Sequence, residues 1–144
     1  MIISFFGHSS FVETNQLKNK LFDILNKEAS NKPVDFYLGG YGEFDSFAKS
    51  VCLEFQKINK KVKICFVTPY VEQKYLKKRQ GIYDEIIAPD NVEKFVKKFA
   101  IIKCNEWIVD KSDLIIAYVN CSVGGAYNAI KYANKTNKKV VNLA

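Results

Sequence analysis

The sequence has little of several features that usually identify a class of protein. Only one of its 22 basic residues, Arg79, is an arginine, and none of the four cysteines belongs to a C-x-x-C pair. No apolar run approaches the roughly 20 residues needed to cross a bilayer, and the N-terminus lacks the basic region of a signal peptide. Without clustered metal ligands, a zinc site is disfavoured. We therefore expect a cytoplasmic protein that holds no metal or cofactor and does not enter membranes.

The net charge of +7 comes almost entirely from lysine. A basic balance is typical of proteins that bind anions such as nucleic acids, although a lysine-rich composition alone produces the same charge. Proteins that read base edges or clamp phosphates favour arginine, because its planar fork makes two parallel hydrogen bonds. The near absence of arginine therefore disfavours a protein that reads DNA sequence, and weak nucleic-acid binding through lysines stays open.

Apolar runs alternate with amphipathic helical patterns along the whole chain of 144 residues, a length that favours one domain, 1–144. Continuous apolar strands alternating with helices indicate an α/β fold with a doubly wound, mainly parallel sheet and helices on both faces. Strands are predicted at 2–6, 34–38, 62–67, 83–87, 113–119 and 139–143, and we expect 2–6, 34–38, 62–67 and 113–119 to be central. Helices are predicted at 14–29 with Thr14 as N-cap, 43–59, 92–110 and 124–136, and a short helix or mobile loop at 68–82.

Glycines are concentrated in the turns that follow the predicted strands. Six of the seven glycines follow the first, second and fifth strands, in Gly7-His8-Ser9, Gly39-Gly40-Tyr41-Gly42 and Ser122-Val123-Gly124-Gly125-Ala126; the turn after the third strand contains Pro69. In an open parallel sheet, ligands bind outside the carboxyl ends of the strands. Glycine lets the backbone approach a ligand, and the free amides at a helix N-terminus stabilise an anion. The two glycine-rich turns that lead into helices therefore predict phosphate binding, although glycine turns can also be purely structural.

Several polar side chains accompany these turns. Glu43 and Asp45 lie in the first turn of a predicted helix, where they either stabilise the helix dipole or contact a ribose hydroxyl and do acid–base work. His8 is a candidate ligand contact, as are Lys103 and Asn105 on the helix before the fifth strand, although Lys103 can simply pair with Glu106. Thiol catalysis is disfavoured, because His8 is far in sequence from Cys104 and Cys121.

Taken together, these motifs resemble the SLOG superfamily, which includes the DprA (Smf) DNA-processing proteins, the LOG phosphoribohydrolases and the YpsA-like proteins. The resemblance is closest to small stand-alone YpsA-like members and covers nearly the whole chain. It rests on the ordered segments Phe6-Gly7-His8, Leu38 to Asp45, Thr68-Pro69-Tyr70, Tyr83-Asp84, Ala100 to Asp113 and Gly124-Gly125-Ala126.

The resemblance implies a Rossmann-like domain that binds a nucleotide or a nucleotide-derived ligand, as a sensor or regulator, with the two glycine-rich turns forming the phosphate pocket. It also implies a homodimer. Two departures weaken the case for a phosphate-clamping enzyme and for DprA-style DNA binding: Ser9 stands where the superfamily often has arginine, and Lys103-Cys104-Asn105 replaces an R-N-R triplet. The alternatives are therefore an N-glycosidase or phosphoribohydrolase with Glu43 as its carboxylate, and a single-stranded nucleic-acid binder.

Overall fold

A computed structural model describes residues 1–40, 42–90 and 92–144, and these residues form one six-stranded parallel sheet. The strands are β1 Ile2–Gly7, β2 Val34–Leu38, β3 Val62–Val67, β4 Glu85–Ile87, β5 Leu114–Tyr118 and β6 Val140–Asn142. Every neighbouring pair of strands is parallel, in the order β4-β3-β2-β1-β5-β6, so the four strands predicted to be central are central.

Helices cover both faces of this sheet, which explains why the central strands are apolar on both sides. The helices are α1 Asn15–Ala29, α2 Glu43–Ile58, α3 Gln73–Lys77, α4 Lys97–Lys111 and α5 Gly125–Lys135. Helices α1 and α2 pack on one core with Ile3, Phe36 and Ile64, and α4 and α5 pack on the other with Cys65 and Ile115. The fold class predicted from the sequence, a doubly wound α/β domain, is confirmed.

A capping side chain marks the beginning of α1. The Oγ1 of Thr14 accepts a 3.1 Å hydrogen bond from the Leu17 amide, which confirms Thr14 as the N-cap of α1.

No described helix is both long and apolar enough to cross a membrane.

The segment predicted as one helix from 92 to 110 is different in the structure. A single 3-10 turn, Val92–Lys94, is followed by extended backbone at Val96, and α4 begins only at Lys97. No side chain caps the first turn of α4. Two residues of the predicted apolar stripe, Val96 and Phe99, are consequently 67% and 54% exposed instead of buried.

The order of the strands determines where a crevice forms at the edge of the sheet. From β1 the chain winds outward through β2, β3 and β4, then returns to the other side of β1 as β5 and continues to β6. The topological switch point therefore lies between β1 and β5. In open α/β sheets a crevice forms at this point, outside the carboxyl ends of the two strands.

Candidate functional site

A cavity with a volume of about 640 Å³, hereafter the main cavity, opens at this switch point. The turns after β1 and β5 and the inner side of α4 form its walls. Of the residues predicted to bind ligand or to act on it, nine line the cavity: Gly7, His8, Ser9, Gly39, Asp45, Asn105, Gly124, Gly125 and Ala126.

The N-terminus of α5 is open toward the cavity. Gly124 precedes the helix with φ of 102°, a conformation that favours glycine, and no side chain caps the first turn. A Cβ placed on Gly124 or Gly125 meets no atom within 4 Å, so the space beyond both residues is free. The amides of the first helical turn have no intrahelical partner, which makes this turn suited to an anion.

His8 joins the two turns on either side of the switch point. The Asn120 amide donates a 3.0 Å hydrogen bond to His8 Nε2, so the neutral ring carries its proton on Nδ1. The Sγ atom of Cys121 lies 3.5 Å from the same Nε2. The sequence argument against a thiol–imidazole pair, which rested on the distance along the chain, is therefore wrong about proximity: the fold brings the two residues together.

After β2, Gly42 and Glu43 contact segment 9–11 of the chain. Gly42 lies so close to the first turn that a Cβ there would be 2.6 Å from Ser9 Cα. The Glu43 amide donates to the Ser9 carbonyl at 3.1 Å, and the Glu43 carboxylate accepts from the Phe11 amide at 3.2 Å. The Ser9 carbonyl thus accepts from an amide at the N-terminus of α2, a turn that the sequence assigned to a phosphate.

The remaining predicted site residues that the structure describes do not line the main cavity. Pro69 is buried, and Ser122 is exposed. Lys103 is exposed and lies 3.5 Å from Glu106, the i, i+3 pairing considered from the sequence. Gly40 lines a second, smaller cavity. Tyr41 lies outside the described residues.

Sequence reasoning did not name Ile101 and Ile108, which line the main cavity, as site residues, and it placed Asn120, Cys121 and Val123 in the turn after the fifth strand without assigning them a ligand contact. Ile101 and Ile108 carry the apolar side of α4 toward it, beside Asn105. The signal that could have identified these residues is the strand order, because placing β5 next to β1 brings the turns that follow the two strands together.

The four thiols differ in environment. Burial raises the pKa of Cys104 to about 12, and burial together with the charge of Asp35 raises that of Cys65 to about 12. Cys52 is fully buried, and burial raises its pKa as well. Cys121 is exposed at the cavity mouth. Among the residues that the structure describes, no three His, Cys, Asp or Glu side chains form a group that could hold a metal ion.

Three solved structures share this architecture. DNA processing protein A from Streptococcus pneumoniae matches with a TM-score of 0.65 at 14% identity, over 97% of this chain and 49% of its own. DNA processing protein A from Helicobacter pylori, which binds single-stranded DNA, matches with a TM-score of 0.66 at 16% identity, over 99% of this chain and 64% of its own. The protein TM1055 matches with a TM-score of 0.60 at 12% identity, over 96% of this chain and 71% of its own.

This chain therefore spans about half the length of the S. pneumoniae protein and just under two thirds of the H. pylori protein. No protein-family model matches the sequence, and no curated protein does. Identities of 12–16% show a shared fold and nothing finer. The chain thus has the Rossmann-like fold of DprA and TM1055, which agrees with the resemblance of its motifs to the SLOG superfamily.

Proposed function

We propose that this protein binds a nucleotide or a nucleotide-derived ligand in the switch-point cavity, with a phosphate at the N-terminus of α5. The observation that carries the proposal is the uncapped first turn of α5, which opens into a cavity of about 640 Å³ at the topological switch point. Both the free amides and the helix dipole stabilise an anion at that position. Gly124 and Gly125 leave the backbone accessible to it.

The rest of the cavity suits the other parts of a nucleotide. Ile101 and Ile108 provide an apolar wall for a base, and the Asn105 carboxamide lies on the same helix where it can hydrogen-bond a base edge. Asp45 brings a carboxylate to the cavity, which is the type of group that accepts hydrogen bonds from ribose hydroxyls. This combination of apolar walls and a few polar groups is typical of small-molecule sites.

A sensor or regulator fits this arrangement better than an enzyme does. The carboxylate of Glu43 accepts the Phe11 amide and does not line the cavity, so Asp45 is the acid nearest to a bound ligand. Glu43 as the catalytic carboxylate of a glycosidase or phosphoribohydrolase is the alternative, and its test is turnover.

The second alternative is binding of a single-stranded nucleic acid. The similarity to the H. pylori protein, which binds single-stranded DNA, favours it, and so does the net charge of +7. Affinity for a nucleic acid should fall steeply with salt because counterions are released on binding. A mononucleotide that contacts one helix N-terminus should show a shallower dependence.

Thermal denaturation with and without nucleoside monophosphates, followed by calorimetric titration, tests the proposal. A ligand at 100 times its dissociation constant adds about 2.7 kcal/mol to the free energy of unfolding. The Gly125→Leu variant should lose at least tenfold in affinity, because its side chain enters the free space in front of the amides, while its melting temperature stays near that of the parent. Gly125→Ala is the matched control and should bind more tightly than the leucine variant. If Gly125→Leu binds as tightly as the parent, the phosphate does not lie at α5.

A further inference from the structure

A second cavity adjoins the first where the chain leaves β2. Gly39 lines the main cavity, and the next residue, Gly40, lines the second, whose volume is about 290 Å³. The two cavities are therefore lined by consecutive residues of the backbone. The second cavity is formed by residues that the proposed nucleotide site does not use: Gly40, Lys49, Lys78, Arg79, Ile82 and Tyr83.

The charged residues that line the second cavity are all positive. Lys49, Lys78 and Arg79 bring three cations to it, and no described acidic residue lines it. Within the described part of the chain, none of these three cations forms an ion pair with a carboxylate. Positive charges gathered around a concave surface attract and hold an anion.

Arg79, the one arginine in the sequence, is held in place by aromatic rings. Its guanidinium carbon lies 3.8 Å from the ring centroid of Tyr75 and 5.0 Å from that of Phe66, and Nη1 donates a 3.1 Å hydrogen bond to the Tyr75 carbonyl. A guanidinium has five N–H donors, so most of the donors of Arg79 stay available to a ligand. A guanidinium fixed by stacking binds phosphate with two parallel hydrogen bonds and loses little side-chain entropy.

The ring of Tyr83 lines the second cavity and packs on a buried aromatic ring. Tyr83 stacks on the buried ring of Phe66 with centroids 5.0 Å apart, and the Lys49 ammonium lies 5.7 Å from the Tyr83 ring. A Cβ on Gly40 would lie 2.7 Å from the Phe66 ring, so glycine lets the backbone pack directly on that ring. Burial raises the pKa of Tyr83, Arg79 lowers it and Asp45 raises it.

We propose that the second cavity is a phosphate subsite for the same ligand, so that the protein binds a molecule with two phosphate groups separated by one nucleoside. This inference rests on the proposed function of the main cavity. The first nucleotide occupies the switch-point cavity, the chain of the ligand crosses the Gly39-Gly40 turn, and the next phosphate meets Arg79, Lys49 and Lys78. A small dinucleotide and the backbone of a single strand both present this chemistry.

Calorimetric titration at fixed salt compares adenosine 5′-monophosphate with the 5′-phosphorylated dinucleotide pApA. We expect pApA to bind at least tenfold more tightly. The Lys49→Gln/Lys78→Gln double variant and Arg79→Met, which keeps a side chain against Tyr75, should each reduce this advantage to less than threefold and leave the affinity for the monophosphate unchanged. Lys20→Gln/Lys57→Gln removes the same charge from exposed positions on α1 and α2 and is the matched control.

The outcomes separate this inference from the function on which it rests. If the monophosphate binds and pApA binds no better, the second subsite is wrong and the nucleotide site stands. The subsite is also wrong if the variants weaken both ligands equally, or if the control pair loses as much. If neither ligand binds the parent protein, both proposals fail.

A 5′-phosphorylated eight-nucleotide strand shows which of the two kinds of molecule is the ligand. An affinity more than tenfold above that of pApA indicates a strand backbone, and an equal affinity indicates a dinucleotide.

Discussion

The backbone amide of Asn120 donates a 3.0 Å hydrogen bond to the Nε2 atom of His8, across 112 positions of sequence. This bond fixes the turn after β5 against the turn after β1, and so holds the start of α5 in place beside the cavity. The other side of the same turn is fastened by Asn142, whose carboxamide accepts from the Val119 amide at 3.1 Å and donates to the Val119 carbonyl at 2.9 Å.

Removal of the His8 acceptor should loosen this turn without unfolding the protein. We expect His8→Ala to weaken nucleotide binding by about fivefold or more, a loss of roughly 1 kcal/mol that corresponds to one hydrogen bond. His8→Gln, whose carboxamide oxygen can accept from the Asn120 amide, should stay within threefold of the parent. Calorimetric titration measures both variants, and equal binding by His8→Ala and the parent would show that the turn needs no acceptor.

Alkylation should select Cys121 among the four thiols. It is exposed, whereas Cys65 and Cys104, with pKa values of about 12, carry only roughly one thiolate in ten thousand at pH 8. Iodoacetamide at pH 8 should therefore label Cys121 first, and a saturating nucleotide should slow the labelling at least tenfold, because the thiol lies at the cavity mouth. Peptide mass spectrometry identifies the site, with Cys121→Ser as the control. Labelling that a bound nucleotide does not slow would place the ligand elsewhere.

Two glycines with positive φ should respond differently to alanine. At Gly40 (φ 73°) a Cβ would lie 2.7 Å from the Phe66 ring, whereas at Gly81 (φ 84°) it would meet no atom within 4 Å. Gly81→Ala should lose about 1–2 kcal/mol of unfolding free energy from the left-handed backbone. Gly40→Ala should lose about 1–3 kcal/mol more, because the buried ring must move. Urea denaturation measures both, and equal losses would mean that Phe66 adjusts freely.

Turnover distinguishes the binding protein from the glycosidase. We expect adenosine 5′-monophosphate to survive prolonged incubation with the protein, with no free adenine detected by chromatography. If adenine is released, the enzyme alternative is correct. The Glu43→Gln and Asp45→Asn variants then locate the carboxylate, because loss of an acid–base group lowers the rate by about 10²–10⁴.

The exposed apolar residues at the start of α4 indicate where two copies would meet. Phe95, Val96, Phe99 and Ile102 are 44%, 67%, 54% and 37% exposed. Large exposed apolar patches often mark a protein–protein interface, and these four side chains lie within eight positions of the chain. We expect light scattering to give a dimer mass at tens of micromolar and Phe99→Lys to give a monomer. A monomeric parent would show that this surface does not mediate self-association.

The elements of the fold were predictable because apolar periodicity is local and strong in this sequence. Periods of two and 3.6 residues located the strands and most helices, and Thr14 marked the beginning of α1. The break before α4 was not predictable, because Val92 to Val96 continue the apolar pattern and contain no capping residue.

The site was only partly predictable, because its residues meet through strand order and not through sequence spacing. The glycine turns after β1 and β5 gave the correct edge of the sheet. The contact between His8 and Cys121 depends on β5 returning to the side of β1, and the hydrogen bond from Phe11 to Glu43 depends on how segment 9–11 folds over α2. Neither relationship leaves a pattern along the chain.

The pairing of β1 with β5 has a consequence for the order in which the cell makes this protein. The Ile2 amide donates to the Asp113 carboxylate 111 positions away, and the rest of β1 pairs with β5 beyond it. At 5–20 residues per second, the ribosome needs roughly 6 to 20 seconds after β1 before β5 is synthesised. Throughout that interval one edge of an apolar strand has no partner, which is the condition under which nascent chains aggregate. The site therefore cannot form until β5 and the turn that follows it have been synthesised, and a chain interrupted before β5 contains no site.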